Sequence, residues 1–469
     1  MTVVELVPNP RTIPPAATSN AAAPAGIALR PDGRDRYIDT LRALALVRVV
    51  TYHLVGWAWL PLLFPSMAVM FALAGGLVAS SLSRANHWTM LHKRLRRLLP
   101  PLWALGAILV PLMLAHGWTY DPERYIGQPL TWTSLTNWVV PFYTPGASEW
   151  GAPLVVPLWY LTAYMWLLLL SAPLLWLWRR WPLRTMAVPL GIVVMFSTGA
   201  LVSTGSRTDE ICLNLGTFGA CWMLGFAHHD GSLRRLPVRL ILPLGLVLIA
   251  LGLGYAHTYP NPEHGANIDA IPMANALYGL GYALLLLRFY PSFEWMRRRR
   301  LLDALIAAVN ARAMTIYLWS NVAILSAIAI ERRYGAALWY DSSDLGTRRA
   351  VQYVGVWLLI AVAVLAFGWV EDIAGKRRPR LLPRSGRDRT PRGRHRQDGT
   401  GDPADGRRTR GLPTPRSSPP REGLSRLTGT RCGRSCPKVE AATSAGRTGP
   451  VPPTEPAPAE KSRGRAEAT

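Results

Sequence analysis

Residues 37–53 read YIDTLRALALVRVVTYH, from Tyr37 to His53, and continue as LVGWAWL to Leu60. The stretch is apolar enough to sit in lipid. A hydrocarbon core about 30 Å thick needs about 20 mostly apolar residues per helix. Backbone polar groups there must be paired within the segment, so such a run is a helix. Yet it also carries Asp39, Arg42, Arg48 and His53. An ionisable residue inside a membrane span is costly and by default marks function.

Outward from this helix, similar apolar runs recur. Ten spans are expected: 38–60, 62–82, 98–116, 154–178, 185–202, 210–227, 240–258, 270–289, 310–330 and 349–370. Residues 302–309 add an apolar lead-in to the ninth. The fold class is therefore an all-α polytopic membrane protein. Composition agrees, since 50% of the 469 residues are hydrophobic and 17% are charged, against about a quarter charged in a soluble domain. A mainly disordered chain, a coiled coil and a disulfide scaffold are excluded.

Both ends differ from the middle. Residues 1–35 are rich in Ala, Pro and Thr without helical period, and are expected to form a disordered arm. They lack the charged region, apolar stretch and cleavage site of a signal peptide, so the first span is expected to be retained. Residues 376–469 contain no Phe, Trp or Tyr and hold +14 of the net charge of +24. A disordered basic tail is expected there, able to touch anionic lipid heads and with no specific nucleic-acid partner. Residues 36–375 form the membrane domain. Cys212 and Cys221 fall in an apolar segment, and Cys432 and Cys436 form a lone C-x3-C in the tail. Neither pattern supplies the four ligands of a zinc site, and no metal is expected.

Basic residues set an orientation. Arg84, Lys93, Arg94, Arg96, Arg97, Arg179, Arg180, Arg184, Arg234, Arg235, Arg239 and Arg297 to Arg300 follow even-numbered spans, 15 against 6 in the opposite turns. Both termini are then cytoplasmic, in a cell inner (plasma) membrane. The long turn 117–153, rich in Trp, Tyr, Thr and Pro, lies outside. It reads as a segment on the interface or as a cover over an acceptor site.

Within the first helix, Arg42 and His53 are eleven residues apart. At about 100° per residue this is roughly 20° from three full turns, so both share one face, about 16 Å apart along the axis. Asp39 precedes Arg42 by three residues, the spacing of an on-helix ion pair. Arg48 points elsewhere. A second feature is Lys93-Arg-Leu-Arg-Arg-Leu-Leu-Pro100. It anchors the inner side, and guanidinium groups also suit phosphate. Pro100 and Pro101 are expected early in the next helix, where proline is tolerated.

These segments together resemble the membrane-bound acyltransferase 3 family of bacterial O-acyltransferases. The resemblance starts at Ile38-Asp39-x-Leu41-Arg42-Ala-Leu-Ala45, with the Arg-x10-His spacing met by Arg42 and His53. It continues through Pro65-Ser-Met-Ala-Val-Met-Phe71-Ala-Leu-Ala-Gly75-Gly76 and the Arg-x2-Arg-x2-Pro pattern of Arg94, Arg97 and Pro100. Pro157-Leu-Trp159-Tyr-Leu161-x2-Tyr164 and Met314-Thr-Ile-Tyr317-Leu-Trp319 resemble a middle and a late helix. It covers roughly 36–370. Many relatives carry Ser and Glu just after the middle-helix Trp, where Thr162 and Ala163 stand here. Many carry His after the late Tyr-Leu-Trp, where Ser320 stands.

The resemblance implies transfer of an acyl group, commonly acetyl, from acyl-CoA to a hydroxyl, with no tightly bound cofactor. His53 is then the general base, or the carrier of a transient acyl group. Arg42 guides the pantetheine arm or polarises the thioester, with Asp39 holding it. Arg94 and Arg97 meet the CoA phosphates. The acceptor stays open among glycans, lipids and small molecules. A transporter or flippase with the first-helix charges lining a path is the reading from another class.

Overall fold

The structure, a computed structural model, describes residues 35–122, 126–291, 293–334 and 344–379. The expected N-terminal arm up to residue 34, Arg124, and the tail from 380 with Cys432 and Cys436 lie outside the described residues. Among those described, every regular element is helical: α1 Arg36–Val55, α2 Leu60–Leu63, α3 Ser66–Leu82, α4 His87–Ala115, α5 Trp132–Val139, α6 Ala152–Val155, α7 Leu158–Arg180, α8 Pro182–Ser197, α9 Arg207–His229, α10 Ser232–Arg235, α11 Val238–Thr258, α12 Pro272–Arg288, α13 Arg300–Ala311, α14 Ala313–Tyr334 and α15 Leu345–Ala374.

Each of the ten expected segments falls on one of these helices. Among the described residues seven spans are long and apolar enough to cross a membrane: α2 with α3, α4, α7, α9, α11, α14 and α15. The other three fall short for visible reasons. α1 carries Asp39, Arg42 and Arg48, and α8 and α12 have 16 and 17 residues.

Three boundaries differ from expectation. α1 stops at Val55 because Gly56 turns left-handed at φ +66°, a conformation glycine adopts without a Cβ penalty. α4 starts at His87, eleven residues before the expected 98, since the Asn86 side chain accepts the Thr89 N–H at 2.9 Å and caps it. The basic run is therefore inside a helix, and Pro100 and Pro101 sit mid-helix rather than early. α7 starts at Leu158, not 154. Ahead of it, α6 and residues 156–157 enter the bundle as a separate turn. The Asn321 side chain donates to the Pro153 carbonyl at 3.0 Å, and the Tyr317 hydroxyl donates to that of Pro157. Irregular backbone inside a membrane protein is tolerated only where protein satisfies it or a cavity is lined.

The bundle is built around α9, whose most apolar window is 72% buried, against 17% for α11 at the edge. α3 crosses α9 backbone to backbone. A Cβ at Gly75 would stand 2.1 Å from the Trp222 carbonyl oxygen, and one at Gly225 would stand 2.1 Å from that of Ala72. Small residues allow such approach where apolar lipid gives helices no drive to associate. The Gly75-Gly76 pair read in the sequence is thus a packing device.

The N-terminal end of α1 is held by three links. Arg36 pairs with Asp303 at 2.9 Å, the Tyr37 hydroxyl donates to the Leu286 carbonyl, and Asn310 donates to the Asp39 carbonyl at 2.7 Å. α14 and α15 are clamped by Arg312 with Asp372 at 2.7 Å and by Thr315 with Glu371. Arg348 pairs with Glu331 at 3.2 Å, so part of the basic count in the opposite turns is neutralised.

Candidate functional site

α1 turns Arg48, Val49, Tyr52 and His53 towards a cavity of about 380 Å³. These positions follow the i, i+1, i+4, i+5 pattern of one helix face. The opposite walls come from α3, α7, α9, the loop 259–271, α12 and α14, including Trp159, Asn214, Asp269, Asn275 and Tyr317. The His53 imidazole makes no hydrogen bond among the described residues. Its neighbour Tyr52 presents a ring edge at 5.8 Å. A neutral imidazole with an uncommitted lone pair in a pocket of mixed polarity can accept a proton.

The floor of the cavity is aromatic. Tyr317 packs on Tyr160 at 5.4 Å, Tyr160 on Phe71 at 4.8 Å, Phe71 on Phe218 at 4.8 Å, and Phe218 stacks on Trp159 at 5.6 Å. Phe218 is the twelfth residue of α9, so α7 begins level with the middle of that helix. This is why the turn at 152–157 reaches the site at all.

Beyond the floor lies a basic region. Arg42 is half-buried and within electrostatic reach of Tyr160. Tyr160 touches Tyr164 at 6.3 Å, and Arg94 donates to the Tyr164 hydroxyl at 3.1 Å and to Ser81 at 3.2 Å. Arg97 lies among Arg94, Arg96 and Arg377, and Arg96 donates to the Ala374 carbonyl that ends α15. A cluster of guanidinium groups held by tyrosine, serine and backbone, rather than by carboxylates, leaves donors for phosphate.

The amino-acid sequence of residues 35–370 matches the family described as "Acyltransferase domain", over more than two thirds of the chain. The chain belongs to the acyltransferase 3 family. No curated protein and no solved structure matches it significantly.

In this acyltransferase 3 chain, the sequence-derived residues separate into two places. His53 is on the cavity. Arg42, Arg94 and Arg97 are in the basic region on the far side of the aromatic floor. Among the described residues Asp39 and Arg42 form no ion pair with each other, and Asp39 does not line the cavity. Their three-residue spacing permits contact without enforcing it. Sequence reasoning gave Arg48 no role and missed Asp269, and the two pair at 2.7 Å on the cavity wall. Arg48 is about 140° from His53 on a helical wheel, so a single stripe drawn through Arg42 and His53 passes it by. The facing surface of a helix is wider than a stripe. Asp269 sits in a loop that no periodicity marks.

Proposed function

We propose that this protein moves an acyl group, acetyl as the simplest case, from acyl-CoA to a hydroxyl acceptor, with His53 as general base. The observation that carries this reading is the unpartnered His53 imidazole on a cavity whose floor separates it from the Arg42, Arg94 and Arg97 cluster. With basic turns inside, that cluster faces the cytoplasm, where CoA is, and the cavity opens outward beside the loop 259–271. The chain is then a multi-pass protein of the inner (plasma) membrane with both ends cytoplasmic. Residues 36–375 form the catalytic domain, and the acceptor meets it from the bilayer or the outer face.

In this scheme Arg94 and Arg97 hold the donor phosphates. Arg42, midway, guides the pantetheine arm, and Asp39 balances the Arg42 charge through space rather than by contact. The arm crosses the aromatic layer at Tyr160 and Tyr317 and brings the thioester to the cavity. The acceptor oxygen attacks the carbonyl carbon as His53 takes its proton. The C–S bond breaks, and the departing thiolate recovers the proton from the imidazolium. Water exclusion limits loss of the thioester to hydrolysis.

The test is thiol release from acetyl-CoA by the purified protein in detergent, with glycerol or water as acceptor. His53→Ala is expected to abolish it in a protein that still elutes as a single folded species. Undiminished release by that variant contradicts the reading.

A further inference from the structure

We infer that Arg48 is a second catalytic residue, whose guanidinium donates to the oxygen that turns negative when the acceptor attacks the thioester. Asp269 is the positioning residue that aims it. The inference rests on the proposed acyl transfer and assigns the electrophilic half of it.

Arg48 is 7% exposed, in the second half of α1. Its Nη2 donates to Asp269 Oδ2 at 2.7 Å. Its guanidinium lies over the Tyr52 ring, 4.8 Å from the centroid. The Tyr52 hydroxyl accepts from Asn267 Nδ2 at 2.7 Å, and Asn267 Oδ1 accepts the Asp269 N–H at 3.2 Å. Arg48, Asp269, Asn267 and Tyr52 therefore form a closed ring of contacts that fixes the guanidinium plane. Five N–H groups are available on such a fork. Among the described residues only the one bond to Asp269 is made, and Nε meets no acceptor.

A pair that served only to fasten the loop 259–271 to α1 would gain from satisfying more of those donors, because a buried charge is costly unless well bonded. Here the fork is held rigid and left largely unspent, on the wall of the cavity that His53 shares. Preorganised donors aimed where charge develops are the largest single contribution in many acyl transfers. Arg42 is poorly placed for this task, about 16 Å from His53 along the axis. Arg48 is only about 7.5 Å of helix rise away, and it lines the same cavity as His53.

The acceptor O–C bond forms, and the thioester C=O becomes C–O⁻ against the Arg48 N–H groups. The acceptor proton goes to His53. On collapse the C=O is restored, the C–S bond breaks, and the proton passes to the CoA thiolate.

The experiment measures thiol release from acetyl-CoA, with glycerol at high concentration as acceptor, by the full-length protein in detergent. Three variants are compared: Arg48→Lys, the double variant Arg48→Met with Asp269→Met, and Arg48→Ala. The double variant leaves no buried charge unpaired, so its fold is preserved where a single change would strand Asp269. Both Arg48→Lys and the double variant are expected to lose about a hundredfold or more in kcat, the cost of one oxyanion donor, with KM for acetyl-CoA little changed. Methylguanidinium added to Arg48→Ala is expected to restore part of kcat. A folded double variant with kcat within a few-fold of the native protein would overturn the inference and leave Arg48 a fastener. If His53→Ala is itself fully active, the acyl-transfer reading fails first. If His53→Ala is inactive while the double variant works, only the role given to Arg48 fails.

Discussion

Tyr317 of α14 donates its hydroxyl hydrogen to the carbonyl of Pro157, the residue immediately before α7 begins. The bond ties two stretches that the sequence keeps 160 residues apart. It holds an irregular turn at the depth where Trp159 reaches the His53 cavity. Asn321, one helical turn further along α14, does the same for Pro153.

Breaking the Tyr317 bond leaves a buried carbonyl without a donor, at about 1–3 kcal/mol, and breaking the Asn321 bond frees the exposed Pro153 end of the same turn. Tyr317→Phe and Asn321→Leu are therefore expected to lower the thermal unfolding midpoint in detergent, and the double variant more than either. An unchanged midpoint in all three would contradict the tethered turn.

The basic region makes a separable prediction. Arg94→Ala and Arg97→Ala are expected to raise the apparent KM for acetyl-CoA by about tenfold or more, with a smaller effect on kcat, because they remove binding common to ground and transition states. Steady-state thiol release against acetyl-CoA concentration checks this. An unaltered KM in both would place the donor phosphates elsewhere.

At the centre of the bundle, Gly225→Val adds atoms where a Cβ would already stand 2.1 Å from the Ala72 carbonyl oxygen. Overpacking costs at least about 1–3 kcal/mol, and here the obstacle is backbone. The variant is expected to lose its monodisperse elution peak. Gly191→Ala, where a Cβ meets nothing within 4 Å, is the control and is expected to elute as the native protein does.

The tail yields a negative expectation. Truncation after Pro379 keeps Arg377 beside Arg97 and is expected to leave specific activity intact. A clear loss in a stable truncation would give the basic tail a catalytic part.

Much of this fold is legible in the sequence because lipid makes it so. Apolar length alone locates α3, α9, α11 and α15, whereas the close crossing of α3 and α9 at Gly75 is seen only in the packing. The Arg42 and His53 spacing singles out α1, the helix whose His53 lines the cavity. What the sequence hides depends on side-chain reach and on loops. The Asn86 cap lengthens α4 backwards through a basic run that reads as a cytoplasmic turn. The dip at 152–157 needs donors from α14 that no local pattern reveals. Arg48 is passed over because helical phase describes Cβ directions, whereas a long guanidinium side chain swings round to the cavity and meets Asp269, 221 residues away.

The most direct measurement is acetyl-CoA thiol release by His53→Ala beside the native protein, at matched amounts of folded material and saturating donor. Proton transfer by a positioned base contributes about 10²–10⁴-fold. The account predicts turnover lower by at least that factor in the variant, with Arg94 and Arg97 still binding the donor. Turnover equal to the native rate would contradict it.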